Sequence, residues 1–213
     1  MNEKLGFLEK VKIELKDELP GAVAHQLMDP MPQGFRKWDH QNVKPKQSAV
    51  LILLYQENSE WKFPLIQRPT YVGTHSGQIA LPGGKIEEED ESLTMTALRE
   101  TNEEIGVRQN LVTVLGHLSE IYIPPSNFNI LPVVGYVNSK PKFERDKREV
   151  ESIIETDLKQ LLNPINQMSR EVKVGQKRLA NVPCFLLEGN VVWGATAMIL
   201  SEFVNILEKL NNE

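Results

Sequence analysis

The alternation of apolar and polar residues predicts a β-rich core that begins near residue 46. Residues 48–56, SAVLILLYQ, are almost continuously apolar, which is typical of a strand buried on both faces. A polar turn separates them from a second apolar run at 61–69, and this spacing favours a β-hairpin. The remaining apolar runs predict a short strand ending at Gly83 and Gly84, strands at 110–123 and 129–138, a strand followed by a short helix within 149–164, and a hairpin at 183–194.

Helical periodicity marks the two ends of the chain. Leu5, Leu8, Val11 and Leu15 recur at the spacing of one helix face and predict a helix over 4–17, and residues 195–210 have a similar pattern. Residues 18–45 contain several prolines and predict an irregular arm. We therefore expect an N-terminal helix and arm over 1–45 and a single globular domain over 46–213, with a mixed β-sheet packed between helices.

A third helix is unusually acidic. Asp90 or Ser92 can cap a helix that runs to about Ile105, where Gly106 ends it. Successive helical residues are about 100° apart. Glu100, Glu103 and Glu104 therefore lie together, at the edge of the arc whose apolar residues face the core.

This grouping of carboxylates has two interpretations. Like charges at i,i+4 destabilise a helix by roughly 0.2–0.5 kcal/mol per pair, and acids in the C-terminal half oppose the helix dipole. A bound divalent cation would remove both penalties, and Mg²⁺ and Mn²⁺ prefer oxygen ligands. The alternative is an exposed acidic helix in which Arg99 pairs with Glu103. Gly83 and Gly84, just before the helix, favour a metal site because glycines allow close backbone approach.

Composition and charge exclude several other classes of protein. The chain has 213 residues, is 40% hydrophobic and carries a formal net charge of −5, which gives no support for a nucleic-acid binder. Its apolar runs are shorter than a membrane helix, and the N-terminus lacks the pattern of a signal peptide. Cys184 is the single cysteine, so no disulfide can form within the chain. These features predict a cytoplasmic protein that binds neither nucleic acid nor membrane.

In the segment from Gly84 to Val107 the chain resembles the Nudix hydrolase family. The second half of the family's sequence box is matched by RETNEEIGV, residues 99–107, with Thr101 in the apolar slot. The first half is matched by Gly84 and Glu91. The resemblance covers roughly residues 46–205 and implies a Nudix-type α/β/α sandwich with a mixed sheet between helices.

The spacing within the box is similar to that of the coenzyme A pyrophosphatase branch. Six residues separate Gly84 from Glu91, one more than in the commonest box. The upstream segment RPTYVGTHSGQIALPGGK also resembles this branch, although Gly73 stands where an Arg is usual and Leu81 where a Phe is usual. An Arg at position 73 could contact a substrate phosphate, so its absence weakens the resemblance to the branch that acts on coenzyme A.

The resemblance implies roles for the acidic residues. Glu100 and Glu104 would bind Mg²⁺ or Mn²⁺ directly, with the Gly84 carbonyl completing the coordination shell. Glu103 would bind a further ion or its water and could act as the base, while Arg99 and Glu91 would orient the carboxylates. Glu120 and Glu149 are candidate bases outside the box, and each also fits an ordinary surface acid.

Three basic residues are candidates for contact with a nucleotide-derived substrate: Arg68, His75 and Lys85. His75 could instead be structural and Lys85 simply solvated, whereas His25, His40 and His117 carry no pattern. The expected reaction is cleavage of coenzyme A or acyl-coenzyme A to 3′,5′-ADP and (acyl-)4′-phosphopantetheine. ADP-ribose, NADH or a noncanonical nucleotide are alternative substrates, and a non-catalytic binding module is a third hypothesis. The N-terminal helix and arm could form a homodimer interface.

Overall fold

The structure, a computed structural model, describes residues 2–31, 44–70, 77–174 and 177–211. The strands are β1 (Lys46–Glu57), β2 (Glu60–Gln67), β3 (Ile79–Ala80), β4 (Gly83–Lys85), β5 (Thr113–His117), β6 (Ile121–Ile123), β7 (Phe128–Tyr136), β8 (Ser152–Asp157), β9 (Gln167–Val174), β10 (Lys177–Leu187) and β11 (Asn190–Trp193). The helices are α1 (Asn2–Glu14), α2 (Ala22–Gln26), α3 (Leu93–Ile105), α4 (Leu158–Leu162) and α5 (Ala195–Asn211).

The main sheet is mixed, as predicted. Its central order is β3-β2-β1-β7-β5, and β4, β6 and β8 pair with β1, β7 and β2. The strands β1 and β7 run parallel, whereas β1 pairs antiparallel with β2 and β4. A smaller antiparallel sheet contains β9, β10 and β11.

Strand β1 divides the core into two layers because successive side chains point to opposite faces of a sheet. Leu51 and Leu53 pack in a cluster with α3, whereas Ile52 and Leu54 pack in a second cluster with α1 and α5. All four of these side chains are fully buried. The prediction of a strand buried on both faces and of a sheet between helices is therefore confirmed.

Several boundaries differ from the prediction. Helix α1 ends at Glu14 rather than at 17, and Leu5 is 51% exposed although its spacing placed it on the buried face. The arm contains the short helix α2, and its residues 32–43 lie outside the described part of the chain. The run predicted as one strand over 110–123 is divided between β5 and β6, and both halves pair with β7.

The strand β9 was not predicted at all. It pairs with β10, whose first half was also missed, over residues 167–174 and 177–185. The sequence of β9, QMSREVKV, is mostly polar, and only Val172 among its described side chains is buried. A strand with so few core positions lacks the alternation on which the prediction relied.

The acidic helix α3 begins and ends as predicted. Ser92 is its N-cap and its Oγ accepts a hydrogen bond from the Met95 amide at 3.3 Å. Gly106 ends the helix in the left-handed conformation, with φ 76°. These caps fix the rotation of α3 and so determine which of its carboxylates face the sheet.

Replacing Gly106 by alanine should destabilise the fold by more than about 2 kcal/mol, because a left-handed non-glycine residue alone costs roughly 1–2 kcal/mol. A Cβ at this position would also lie 3.0 Å from the Glu144 Cβ and 3.1 Å from the Glu144 carbonyl oxygen. Urea unfolding of the variant measures the loss.

The matched control is Gly189→Ala in the β10–β11 turn. Gly189 also has a positive φ, 75°, but nothing lies within 4 Å of a Cβ built there. We expect Gly189→Ala to lose only the roughly 1–2 kcal/mol that a left-handed non-glycine residue costs. Equal losses in the two variants would contradict the role of the Glu144 contact.

Candidate metal and substrate site

The glycine pair of β4 brings the backbone against the acidic face of α3. The Gly83 amide donates a hydrogen bond to Glu104 Oε2 at 2.8 Å. A Cβ on Gly83 would lie 2.3 Å from the Ala49 carbonyl oxygen, and one on Gly84 would lie 2.3 Å from Glu100 Oε1. A Cβ at Gly83 would collide with the backbone of β1, so that position requires glycine, whereas a Cβ at Gly84 would displace the carboxylate of Glu100.

Glu104 is the most buried of the carboxylates on this face. It is only 3% exposed, and burial raises the pKa of its carboxyl to about 8. The negative charges of Glu100 and Glu149 act in the same direction, whereas the Gly83 amide and the positive charge of Arg68 lower the pKa. Burial also raises the pKa of Glu100. Two carboxylates that are costly to ionise therefore lie side by side.

Glu149 joins this pair to form a three-carboxylate cluster. Among the described residues, one oxygen each of Glu100, Glu104 and Glu149 lies within 4.8 Å of the others. Sequence reasoning had placed Glu149 among the candidate bases outside the box rather than among the metal ligands. No helical spacing links it to α3, so the signal for its position in the cluster exists only in the folded chain.

The loop of residues 144–149 is hydrogen-bonded to the end of α3 and places Glu149 in the cluster. The Glu144 amide donates to the Ile105 carbonyl and the Asp146 amide to the Glu104 carbonyl, both at 3.0 Å. The Glu149 amide in turn donates to the Asp146 carbonyl at 3.2 Å. The backbone of residues 144–149 is thus attached to the same helix turn that carries Glu104.

Arg99 supplies the positive charge beside the cluster. Its Nη1 donates to Glu100 Oε1 at 3.1 Å and to Glu103 Oε2 at 3.0 Å, and its Nη2 donates to the Lys85 carbonyl. Hydrogen bonding to Asp90 makes the largest contribution to raising the pKa of the guanidinium above its usual range, and Glu100 acts in the same direction. Arg99 therefore connects β4 to two of the predicted metal-site residues.

The carboxylate that orients Arg99 is Asp90. Arg99 Nε and Nη2 each donate to an Asp90 oxygen at 2.9 Å, and hydrogen bonding to Arg99 holds the pKa of Asp90 well below its usual range. Glu91 is exposed, and its carboxylate contacts no cation that the structure describes. The difference arises from the capping turn, because Asp90 folds back to accept from Thr96 Oγ1 while the chain enters the helix at Ser92.

The remaining residues predicted for the site do not belong to the three-carboxylate cluster. Glu103 is half exposed and contacts Arg99. Arg68 has a buried Nε that has no hydrogen-bond partner in the part of the chain that the structure describes. Lys85 is exposed beside Gly84. His75 and Gly73 lie outside the described residues, and Glu120 is exposed and accepts from Asn129.

A cleft of about 880 Å³ opens next to this cluster. Gly83, Gly84, Arg68 and Lys85 line the end near the carboxylates. The rest of the wall is largely apolar and includes Ile123, Phe128, Ile130, Trp193, Met198 and Ile199. The arrangement can hold a molecule that has an anionic part over the glycines and an apolar part farther along.

Asp90→Asn should destabilise the fold by about 2–3 kcal/mol, because it removes the negative charge from the most buried ion pair of Arg99 and leaves the guanidinium with its bonds to Glu100 and Glu103. The adjacent variant Glu91→Gln should change the free energy of unfolding by less than about 0.5 kcal/mol, since its side chain is exposed. Urea unfolding of both variants measures the difference. A larger loss in Glu91→Gln would refute this assignment.

The pH dependence of stability should report the burial of Glu104. Its carboxyl has a higher pKa in the folded chain, about 8, than its ordinary value of 4.5, so the folded state binds the proton more tightly. Without divalent cations, the free energy of unfolding should therefore fall as pH rises through this window, by at most roughly 1.4 kcal/mol per pH unit. Glu104→Gln should show a shallower slope, and the exposed-site variant Glu103→Gln should keep the wild-type slope. Identical slopes in Glu104→Gln and the wild type would contradict the expectation.

None of the helices in the described residues has the length and apolar character of a membrane span.

Comparison with known proteins assigns the chain to one family. The family model for the NUDIX domain matches residues 45–174. The chain is 36% identical over 168 residues to the mitochondrial Nudix hydrolase 15 of Arabidopsis thaliana. The aligned region covers 76% of this chain and 59% of that protein. The chain thus spans little more than half the length of this relative.

Two further similarities support the assignment. Over 177 residues the chain is 29% identical to the uncharacterized Nudix hydrolase NudL of Yersinia pestis (strain Pestoides F), covering 82% of this chain and 87% of that protein. The crystal structure of RenU, a Nudix hydrolase from M. smegmatis, has the same fold, with a TM-score of 0.52, 13% identity and coverage of 79% and 86% of the two chains. The predicted fold class is confirmed, and the chain belongs to the Nudix hydrolase family.

Proposed function

We propose that the protein hydrolyses the pyrophosphate bond of coenzyme A or acyl-coenzyme A, with Mg²⁺ or Mn²⁺ as its cofactor. The products would be 3′,5′-ADP and (acyl-)4′-phosphopantetheine. The observation that carries the proposal is the cluster of Glu100, Glu104 and Glu149 at one end of a cleft whose remaining wall is apolar. The spacing from Gly84 to Glu91 and the segment upstream of the box support the same branch of the family.

The carboxylate cluster fits a hard divalent cation. Nudix hydrolases generally need such a metal, and three carboxylates within 4.8 Å of one another offer it oxygen ligands. Glu100, Glu104 and Glu149 would hold the ion, with the Gly84 carbonyl as a further ligand. When bound, the cation stabilises the negative charge that develops on the phosphate oxygens.

The neighbouring residues would position and activate the reacting groups. Arg99, oriented by Asp90, holds Glu100 and Glu103 in place through the hydrogen bonds described above. We assign Glu103 to orient the attacking water and to accept its proton, because its carboxylate is exposed beside the cluster. Glu91, which the resemblance included among the orienting residues, remains a sequence-based assignment that its exposed position does not support.

The cationic residues would bind the phosphates. Arg68 lines the cleft together with Gly83, so its guanidinium would pair with a phosphate oxygen of the substrate. Lys85 lines the same end and supplies a second positive charge. His75 remains a sequence-based candidate that lies outside the described residues.

The apolar wall favours a substrate with an extended, weakly polar group. Phe128, Trp193 and Ile199 lie on this wall, and the charged side chains that line the cleft in the described structure are Asp29, Arg68 and Lys85. A pantetheine arm, with or without an acyl group, has this character. The corresponding group of NADH is a ribosyl nicotinamide, which would place hydrated hydroxyl and carboxamide groups against the same wall.

The alternative is a Nudix hydrolase for another substrate, such as ADP-ribose, NADH or a noncanonical nucleotide. Gly73 supports it, because the usual Arg is absent there. A non-catalytic binding module is disfavoured because Arg99, Glu100, Glu103 and Glu104 are all retained.

We also infer a cytoplasmic location and a homodimer that contacts through the N-terminal segment. Val23 and Leu27 of this segment are 75% and 62% exposed and lie four residues apart, so they form an apolar surface beside α5. Light scattering of the purified chain measures the assembly.

A substrate panel tests the proposed function. Coenzyme A, acetyl-coenzyme A and a long-chain acyl-coenzyme A should be cleaved with Mg²⁺ or Mn²⁺, and mass spectrometry should identify 3′,5′-ADP and the matching phosphopantetheine. ADP-ribose and NADH should be cleaved at least roughly tenfold less efficiently, which corresponds to about 1.4 kcal/mol in transition-state binding. EDTA should abolish the reaction.

Two variants provide the controls for this panel. Glu104→Gln should lower kcat by roughly a hundredfold or more, as expected for loss of a group that stabilises the transition state. Glu89→Gln, an exposed acid in the loop before α3, should keep full activity. Efficient cleavage of ADP-ribose or NADH without cleavage of coenzyme A would replace the proposal by its alternative.

A further inference from the structure

Glu202 is a fully buried carboxylate on α5, far along the chain from the acidic helix, and the proposed chemistry does not use it. It is 0% exposed. Its Oε1 accepts a hydrogen bond from the Gly21 amide at 3.0 Å, and both of its oxygens lie within 3.3 Å of the Ser119 amide. His25 Nε2 lies 2.9 Å from Oε2. A buried charge must be compensated in this way, because an unpaired one is strongly destabilising.

The partners of Glu202 come from two different segments. Gly21 and His25 belong to the N-terminal arm, whereas Ser119 lies between β5 and β6. The preceding residue of α5, Ser201, adds a buried hydrogen bond from its Oγ to the Ala24 carbonyl at 2.8 Å. Desolvation raises the pKa of Glu202, but hydrogen bonds from His25 and Ser119 outweigh it and lower the pKa, so the carboxylate stays ionised.

Each of these three segments continues into the wall of the cleft. The arm leads from α2 to Asp29 and Met31, and β6 leads to Tyr122 and Ile123. Helix α5 contributes Met198 and Ile199, about one turn before Glu202. The bonds around Glu202 therefore join the arm, the β5–β6 connection and α5, and each of these segments leads into residues that line the cleft.

The conformation at Gly21 depends on this contact. Gly21 has φ +52°, and a Cβ built on it would lie 3.2 Å from Ser119 Oγ. The arm can turn toward Glu202 only with a left-handed residue that leaves space for the β5–β6 connection. Ala24 and Met28 then pack into the interior, at 0% and 4% exposure.

We propose that Glu202 is a positioning residue that holds the N-terminal arm and β6 against α5 and thereby fixes the substrate-binding wall of the cleft. It acts on substrate affinity through the arm and not on the reacting atoms. The kinetic consequence rests on the proposed function, whereas the structural consequence does not.

Hydrogen exchange of the full chain tests the structural part. In Glu202→Leu, amides of residues 21–31 and 121–123 should exchange roughly tenfold faster or more, because their local opening loses the bonds to the carboxylate. Amides of α3 should be unchanged. Glu202→Gln should restore most of the protection, since its amide oxygen can still accept from Gly21 and Ser119. Glu208→Gln, an exposed acid on the same helix, serves as the matched control.

Kinetics with coenzyme A tests the functional part. Glu202→Leu should raise KM roughly tenfold, with kcat and the Mn²⁺ concentration for half-activation within about twofold of the wild type, as expected when binding but not chemistry is altered. Loss of kcat at unchanged KM would overturn the proposal. If the wild type does not cleave coenzyme A, the proposed function fails and the exchange measurement alone decides the role of Glu202.

Wild-type exchange at residues 21–31 and 121–123 in Glu202→Leu would overturn the proposal. If that variant does not fold, Ser201→Ala replaces it, because it removes the bond to the Ala24 carbonyl without leaving a charge buried. It should raise exchange in the arm by roughly threefold or more. An unchanged arm in Ser201→Ala would then refute the anchoring of the arm by α5.

Discussion

Repulsion among three carboxylates is the constraint around which this site is built. Glu100, Glu104 and Glu149 each place an oxygen within 4.8 Å of the others, and Glu104 is almost completely buried. Ionising such a group costs free energy through both desolvation and like charge. The fold must therefore provide rigid support from its backbone, since nothing in the cluster itself favours the arrangement.

That support comes from three directions. The Gly83 amide donates to Glu104, and the tightly packed Gly84 backbone limits where Glu100 can lie. Arg99 neutralises part of the charge from the side, and its own orientation depends on two bonds to Asp90. The loop that carries Glu149 is bonded through its backbone to the last turn of α3. Each of these supports is made by the chain itself, so the backbone and Arg99 hold the three carboxylates together.

Patterns among residues that are close in the chain explain which parts of the fold and of the candidate site could be predicted from the sequence. The apolar run of β1 and the caps of α3 depend on residues close in the chain, and both predictions are confirmed. Glu100 and Glu104 follow from helical spacing for the same reason. Asp90 and Glu91 are adjacent, and only the turn geometry at Ser92 decides which of them reaches Arg99. The position of Glu149 depends on long-range backbone bonds, and β9 has too few buried positions to give an alternating pattern, so neither could be read from spacing.

The two halves of the cleft have different origins along the chain. The carboxylates, Gly83, Gly84, Arg68 and Lys85 all lie within residues 45–174, the segment that the NUDIX domain model matches. Much of the opposite wall lies outside it: Asp29 and Met31 precede the segment, and Trp193 and Met198 follow it. The family match therefore covers the carboxylate cluster but only part of the cleft wall. Glu202 bonds the arm to α5, so the two terminal segments that complete the wall are connected to each other, and a change in either can alter the shape of the wall without touching the carboxylates.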